Sequence, residues 1–457
     1  MSHCFKRLVD RARDRIWSAQ RDPVAHEEAR QKSLEIFQEL KSEDWSRVRR
    51  RFAPLFRWVL TESVLKRGWA FIRVLAGSPV EILGHPIVTS RWLTTVKIPV
   101  QFKRAKFAMS LHMLPTGALV GLRFIPYSLA GFGPAWESPT YAKSESFCTQ
   151  DIHLGEKGNR VEASMTLPKT GGPFPCIILI AGSGPCDKDS TVGAIKPFRD
   201  LASGLATQRI AVLRFDKPSY ANKRKFFDKG NITFSDEYID HTRAAVQFCT
   251  KHPEILNDRI YLLGHSLGAC AAPRVASLEP SVSGCIILAG PGEPYYRSAI
   301  RQLTYLASLD DSPNEALDTQ ITELQGQAAL ADGLESDSGI KASSLPFGLG
   351  PRYWLSLRDC DPIGTTRSLE RPVFILQGDR DYQVTVTQDF SKWQSGLAGK
   401  EGITFRVYEN LNHLFVEGVG PSTPLEYESP GHVDPKVVMD ISEWVHKLEE
   451  ALSHTQH

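Results

Sequence analysis

The chain is predicted to be an α/β protein, a mostly parallel sheet with helices on both faces, preceded by a small α+β domain. Three observations carry this expectation. From about Phe147 onward, short apolar runs alternate with helical stretches, the pattern of strand-helix-strand units. Upstream of that point the helix formers come first and a hairpin follows, which is the order of an α+β fold. With 457 residues, the chain is also too long for one ordinary core.

The elements follow in order. Residues 24–60 are rich in helix formers, and Leu34, Phe37, Leu40, Trp45 and Val48 are spaced for one buried face. Phe107, Met109, Leu111 and Met113 then alternate with smaller or polar residues, Pro115-Thr-Gly117 marks a turn, and Leu119 to Ile125 returns. This places an N-terminal α+β domain at 1–127 and a Gly/Pro/Ser-rich linker at 128–146. The domain from 147 to 457 opens with a hairpin around Glu156-Lys-Gly-Asn159. Its core strands are expected at Cys176–Ile180, Ile210–Leu213, Ile260–Leu263, Cys285–Leu288, Val373–Leu376 and Phe405–Tyr408. Helices are expected to begin near Pro197, Asp236 and Ser266, and Pro435 suits the first turn of a last helix carrying Val437, Ile441, Trp444 and Leu448. Residues from about 291 to 369 interrupt the alternation and read as a helical cap insertion.

Composition narrows the function classes. The chain is 42% hydrophobic and 23% charged, which suits a globular protein, and its net charge of +2 gives no general case for nucleic acid as a partner. Arg47, Arg49, Arg50 and Arg51 read as a solvated helix face. The charged start, Met1 to Asp10, lacks the apolar core of a secretory signal, and no apolar run is long enough to span a bilayer. Eight scattered cysteines without a C-x-x-C pair read as buried hydrophobes in a reducing compartment. A cytoplasmic location is expected. Trp45, Phe56, Trp58 and Trp69 are expected in the core of the N-terminal domain, which would pack on the cap or pair subunits in a homodimer.

The chemistry is concentrated in Gly264-His265-Ser266-Leu267-Gly268, which follows an apolar strand and precedes a small-residue helix. A serine at such a turn is held in a strained conformation with its hydroxyl exposed, and the flanking glycines keep strand and helix from colliding. Ser266 is the expected nucleophile. A neutral hydroxyl needs a base to take its proton and a carboxylate to orient that base, in chain order Ser, acid, His. Asp381, the third residue after Gly378, is preferred as the acid over Asp379, which suits a turn. His413, between the last strand and the last helix, is the expected base. His432 reads as structural, and His265 as packing beside the turn. The oxyanion amides are expected from Leu267, at a helix start, and from Ser183 or Gly184 in Ala181-Gly-Ser-Gly-Pro185. That loop lacks both the Lys-Ser/Thr ending of a phosphate cradle and the third glycine of a dinucleotide site. No cofactor is expected, and no metal, because H-E-x-x-H and clustered His/Cys/Asp ligands are missing from the sequence.

Together with Lys196-Pro-Phe198, Val212-Leu-Arg-Phe-Asp-Lys217, Tyr353-Trp354, Asp361-Pro362, Leu376-Gln-Gly378 and Asn412-His-Leu-Phe415, these residues resemble the α/β-hydrolase superfamily over roughly 147–452. The subgroup resembled is that of dienelactone hydrolases, acyl-CoA thioesterases and serine aminopeptidases, some of which carry an extra N-terminal α+β domain. The resemblance implies the α/β-hydrolase fold, a Ser-Asp-His triad and an acyl-enzyme. It departs from the cysteine-dependent bile-acid-CoA acyltransferase branch at Ser266. Phe347, Tyr353 and Trp354 of the cap are expected to hold an apolar acyl chain. The expected activity is thioesterase or esterase on medium to large acyl groups presented on CoA or an acyl carrier protein. This includes polyketide release in secondary metabolism by hydrolysis or lactonisation. A carboxylesterase, an aminopeptidase and a non-catalytic hydrolase-like binding protein are the alternatives.

Overall fold

The computed structural model describes residues 23–223, 226, 231–309, 315–336 and 339–455; the N-terminal stretch read above as lacking a signal lies outside them. It divides into two compact units. The smaller comprises the described residues of Met1–Pro134, Leu306–Thr319 and Thr423–Ser429; the larger comprises Ala135–Tyr305, Gln320–Ser422 and Pro430–His457.

In the smaller unit, helices Pro23–Lys41, Trp45–Arg51 and Glu62–Ala76 precede five antiparallel strands. These are β1 (Pro79–Ile82), β2 (Ile87–Ser90), β3 (Thr94–Phe102), β4 (Lys106–Met113) and β5 (Leu119–Pro126). β3 is central, with β1 and β2 on one edge and β4 then β5 on the other. Alternation explains the burial: Val96, Ile98, Val100 and Phe102 point to one face and meet Ile36, Phe37, Leu40, Val48 and Trp69. The hairpin of β4 and β5 lies where the sequence placed it. β3 was hidden from pattern reading by Pro99, a residue that ordinarily argues against an interior strand. One core assignment is corrected: Trp58 is 72% exposed because it caps a one-turn helix, Pro54–Arg57, whereas Trp69, inside a longer helix, fills the aromatic seat. The arginine cluster is partly engaged, with Arg51 bonded to Glu39 and Glu35.

The larger unit is an eight-stranded sheet of β6 (Phe147–Leu154), β7 (Val161–Pro168), β8 (Phe174–Ile180), β9 (Ala211–Phe215), β10 (Ile255–His265), β11 (Val282–Leu288), β12 (Val373–Gly378) and β13 (Ile403–Tyr408). The spatial order is β13-β12-β11-β10-β8-β9-β7-β6, parallel from β13 to β9 and antiparallel beyond. Strands β8, β9, β11 and β12, and β10 from Ile260 on, are buried on both faces, which is why they read as mostly continuous Val/Ile/Leu runs. The chain moves outward from β8 to β9, then returns to lay β10 on the other side of β8. The loops leaving β8 and β10 therefore diverge and open a crevice at the C-terminal ends of the strands, where ligands collect in open α/β sheets. Between β11 and β12 run the helices Tyr295–Ser308, Glu315–Asp332, Pro351–Arg358 and Pro362–Ser368. Among the described residues no helix is long and apolar enough to cross a membrane.

Candidate active site

Ser266 follows β10 directly and has φ +52°, and the helix Gly268–Leu278 starts two residues later. Such a conformation is sterically unfavourable for a residue with a side chain, so its neighbours must impose it. The Ser266 amide donates to Leu288 O of β11 at 2.9 Å, and its carbonyl accepts from Ala269 N at 2.9 Å. Leu267 is the N-cap of the following helix, where backbone N–H groups lack intrahelical acceptors. The β8 loop passes beside the serine: a Cβ placed on Gly182 would lie 3.1 Å from Ser266 Cβ and 3.5 Å from its Oγ.

The loop after β12 carries both aspartates in different roles. Asp379 Oδ1 accepts from Asn410 N at 2.7 Å and ties two turns together. Asp381 is buried, and its Oδ1 accepts from Gln383 N at 2.8 Å and Val384 N at 3.0 Å. Its Oδ2 accepts from Gln377 Nε2 at 3.0 Å and from His413 Nδ1 at 2.7 Å. With the carboxylate as acceptor, Nδ1 of His413 is the donor of this bond, and in the neutral ring Nε2 is the nitrogen without a proton. The His413 loop is itself clamped, because Asn412 Oδ1 accepts from Leu414 N at 2.9 Å and Val416 N at 3.2 Å. It docks on the turn that bears Ser266: His265 Nε2 donates to His413 O at 2.8 Å, and the two rings are 4.7 Å apart.

His265 thus holds one loop against the other. Burial, with His413 nearby, pushes its imidazole down to about 3. Since the folded form binds its proton less readily than the unfolded chain, whose ordinary value is about 6.5, stability is intact above that value and declines as pH falls toward 3. Melting temperature should therefore drop on acidification from pH 7 to pH 4, and His265→Asn should flatten that part of the profile. An unchanged slope in the variant would remove His265 from the account.

Two cavities flank the turn. One of about 430 Å³ is lined by Ser183, Gly184, Leu267, Tyr295, Phe347 and Tyr353, among others. The other, about 480 Å³, is lined by Leu267, Cys270, Tyr295, Tyr296, Trp354 and Leu357 with neighbouring residues. Both fall in the ~300–1,000 Å³ range of small-molecule sites. Leu267 and Tyr295 wall both. The three aromatic residues expected to hold an acyl chain are thus split, with Phe347 and Tyr353 in one cavity and Trp354 in the other. Tyr353 is also not a free apolar surface, since its hydroxyl donates to Glu237 Oε2 at 2.7 Å. His432 lies elsewhere, with Nδ1 3.2 Å from Asp200 Oδ1. Among the described residues no group of His, Cys, Asp and Glu could hold a metal ion.

Pattern reading missed Tyr295, Glu237 and Tyr238, and assigned no role to Gln377 or Lys217. The available signal was a polar side chain at or near the end of a buried strand: Gln377 is the penultimate residue of β12, and Lys217 lies two residues past β9. Lys217 Nζ is 3.0 Å from Glu237 Oε1. Burial alone would push the Glu237 carboxyl up, but the Lys217 charge brings it below its ordinary value.

A strained serine at a strand-helix turn, at the switch point of a parallel sheet and beside a buried imidazole-carboxylate pair, defines a hydrolase of the α/β type. Residues 177–426 match the model of the alpha/beta hydrolase family, and the chain belongs to that family. It is 30% identical over 417 residues to Esterase EstD of Thermotoga maritima, covering 91% of this chain and 95% of the relative. It is also 29% identical over 131 residues to Acyl-coenzyme A thioesterase 1 of Rattus norvegicus, covering 29% of this chain and 27% of that one. Among solved structures, a Pyrococcus furiosus esterase aligns at a TM-score of 0.40 with 16% identity, over 71% of this chain and 97% of the other.

Proposed function

We propose that the protein hydrolyses carboxylic esters of apolar acyl groups through an acyl-enzyme on Ser266. His413 Nε2 takes the serine proton as Oγ attacks the acyl carbonyl, and Asp381 stabilises the imidazolium that forms. The amide of Leu267 and one from Ser183 or Gly184 bind the oxyanion. The imidazolium then protonates the departing alcohol, and water, deprotonated by the same imidazole, resolves the acyl-enzyme. The observation that carries this reading is His413 itself, 2.7 Å from Asp381 and held by its carbonyl to the residue beside Ser266. The esterase relative matched along nearly the whole chain supports oxygen esters first. Thioesters on CoA or an acyl carrier are the second reading, supported by the shorter thioesterase match. An acyl chain bearing its own hydroxyl would close to a lactone in place of hydrolysis.

The test is a panel of p-nitrophenyl esters and acyl-CoA thioesters running from acetyl to palmitoyl, with products identified by mass. kcat/KM is expected to rise with chain length to an optimum set by the cavities beside Leu267, and to be higher for the oxygen esters. A higher value for the thioesters selects the second reading. No turnover of either series, with no labelling by a fluorophosphonate, would overturn both. The N-terminal unit is proposed to pair subunits, which the mass of the intact protein in solution would read directly.

A further inference from the structure

The sequence leaves open which amide of the β8 loop, Ser183 or Gly184, serves the oxyanion. A buried network outside the triad answers it. Lys217 Nζ donates to Gly182 O at 2.9 Å and to the Tyr238 hydroxyl at 2.7 Å, and lies 3.0 Å from Glu237 Oε1. An ammonium has three protons, so its donors are all used. The Tyr238 hydroxyl, which accepts from Lys217, donates in turn to the same Gly182 O at 2.8 Å. Tyr353 closes the far side on Glu237. Lys217 and Tyr238 are each 2% exposed, so water cannot substitute for these bonds. Burial pushes the Tyr238 phenol well up, which keeps it a donor.

The target of this network is one carbonyl. In a planar trans peptide, C=O and the following N–H point in opposite directions. Anchoring Gly182 O to Lys217 and Tyr238 therefore turns the Ser183 N–H the other way, away from the buried network. Ser183 and Gly184 line the 430 Å³ cavity together with Leu267, the residue whose amide is the other proposed donor. Two donors on the Gly182 oxygen, one of them charged, also draw electron density from the peptide unit and make its N–H a stronger donor.

We propose that Lys217 and Tyr238 are positioning residues for the oxyanion site, and that by holding Gly182 O they make the Ser183 amide its second donor. This rests on the acyl-transfer reading above and deepens it. Neither side chain touches the acyl group. Their effect is on the transition state, where negative charge develops on the acyl oxygen, and little on the ground state.

The experiment compares Tyr238→Phe and Lys217→Met with the wild-type full chain, each normalised to active sites counted by fluorophosphonate titration. kcat is expected to fall about 10-fold for Tyr238→Phe and about 100-fold for Lys217→Met, up to the ~100- to 1,000-fold of deleting an oxyanion donor outright. KM should stay within about twofold, as expected when an interaction made only in the transition state is lost. Affinity for an alkyl boronic acid, whose tetrahedral adduct places an oxygen in the oxyanion site, should fall in step with kcat. Lys217→Met leaves Glu237 buried without its cation, so the variant can fail to fold, and Tyr238→Phe then decides alone. A folded Tyr238→Phe with wild-type kcat and boronate affinity overturns the proposal, as does a fall in kcat without loss of boronate affinity. If the wild-type chain neither turns over esters nor takes the fluorophosphonate, the acyl-transfer reading fails and takes this one with it.

Discussion

Changing Ser266 to Ala is expected to lower kcat on the best ester by roughly 10⁴- to 10⁶-fold, as loss of a triad nucleophile does, and to abolish fluorophosphonate labelling. The structure separates this loss from unfolding. The bonds that hold the turn come from the Ser266 backbone, through its amide to Leu288 O and its carbonyl to Ala269 N, and they survive the substitution. The φ of +52° disfavours alanine and serine alike. Melting temperature should therefore move little while turnover disappears. Pre-steady-state measurement should show no burst of alcohol release. A variant that keeps more than a tenth of the wild-type rate would place the nucleophile elsewhere.

Gly264→Ala is expected to have the largest effect on stability, about 3 kcal/mol or more, at the upper end of what overpacking a tight interior produces. A Cβ at this position would lie 2.4 Å from Gly268 O, 2.6 Å from Ala269 Cα and 2.7 Å from Ala269 N. All three are backbone atoms of the helix that follows the serine, so no side chain can swing aside, and relief requires strand and helix to separate. Gly268 is confined in the same way, its Cβ meeting Ile180 O at 2.4 Å and Ala181 O at 2.5 Å. Gly184 provides the contrast: its φ is +77° but a Cβ there meets nothing within 4 Å, so Gly184→Ala should cost only about 1 kcal/mol of backbone strain. Denaturant midpoints of the two variants make the comparison. Equal midpoints would refute the steric account of the elbow.

Much of the larger unit was legible because its local patterns and its tertiary environment agree. Strands buried on both faces need uninterrupted apolar runs, and the short, β-branched-rich runs at 176–180, 260–263, 285–288 and 373–376 suit that setting. The smaller unit was less legible. β3 contains Pro99, and the edge strands β1 and β2 are only four residues each, too short to show a period, with β1 pairing about twenty residues downstream. Trp58 shows the same limit from the other side, since an aromatic residue does not announce which face of a one-turn helix it will occupy.

The amino-acid order by itself determined the class of this protein. The steric demands of a strand-turn-helix around a serine act within five residues, and the spacing of Gly264, Ser266 and Gly268 records them completely. What only the tertiary structure decided is how remote polar groups are shared out: Asp381 rather than Asp379 on His413, the Tyr353 hydroxyl on Glu237, and Lys217 on the carbonyl of Gly182. These choices depend on the satisfaction of buried donors and acceptors brought together across tens to hundreds of residues. A hydrogen bond tolerates only a few tenths of an ångström, and no sequence periodicity encodes that distance.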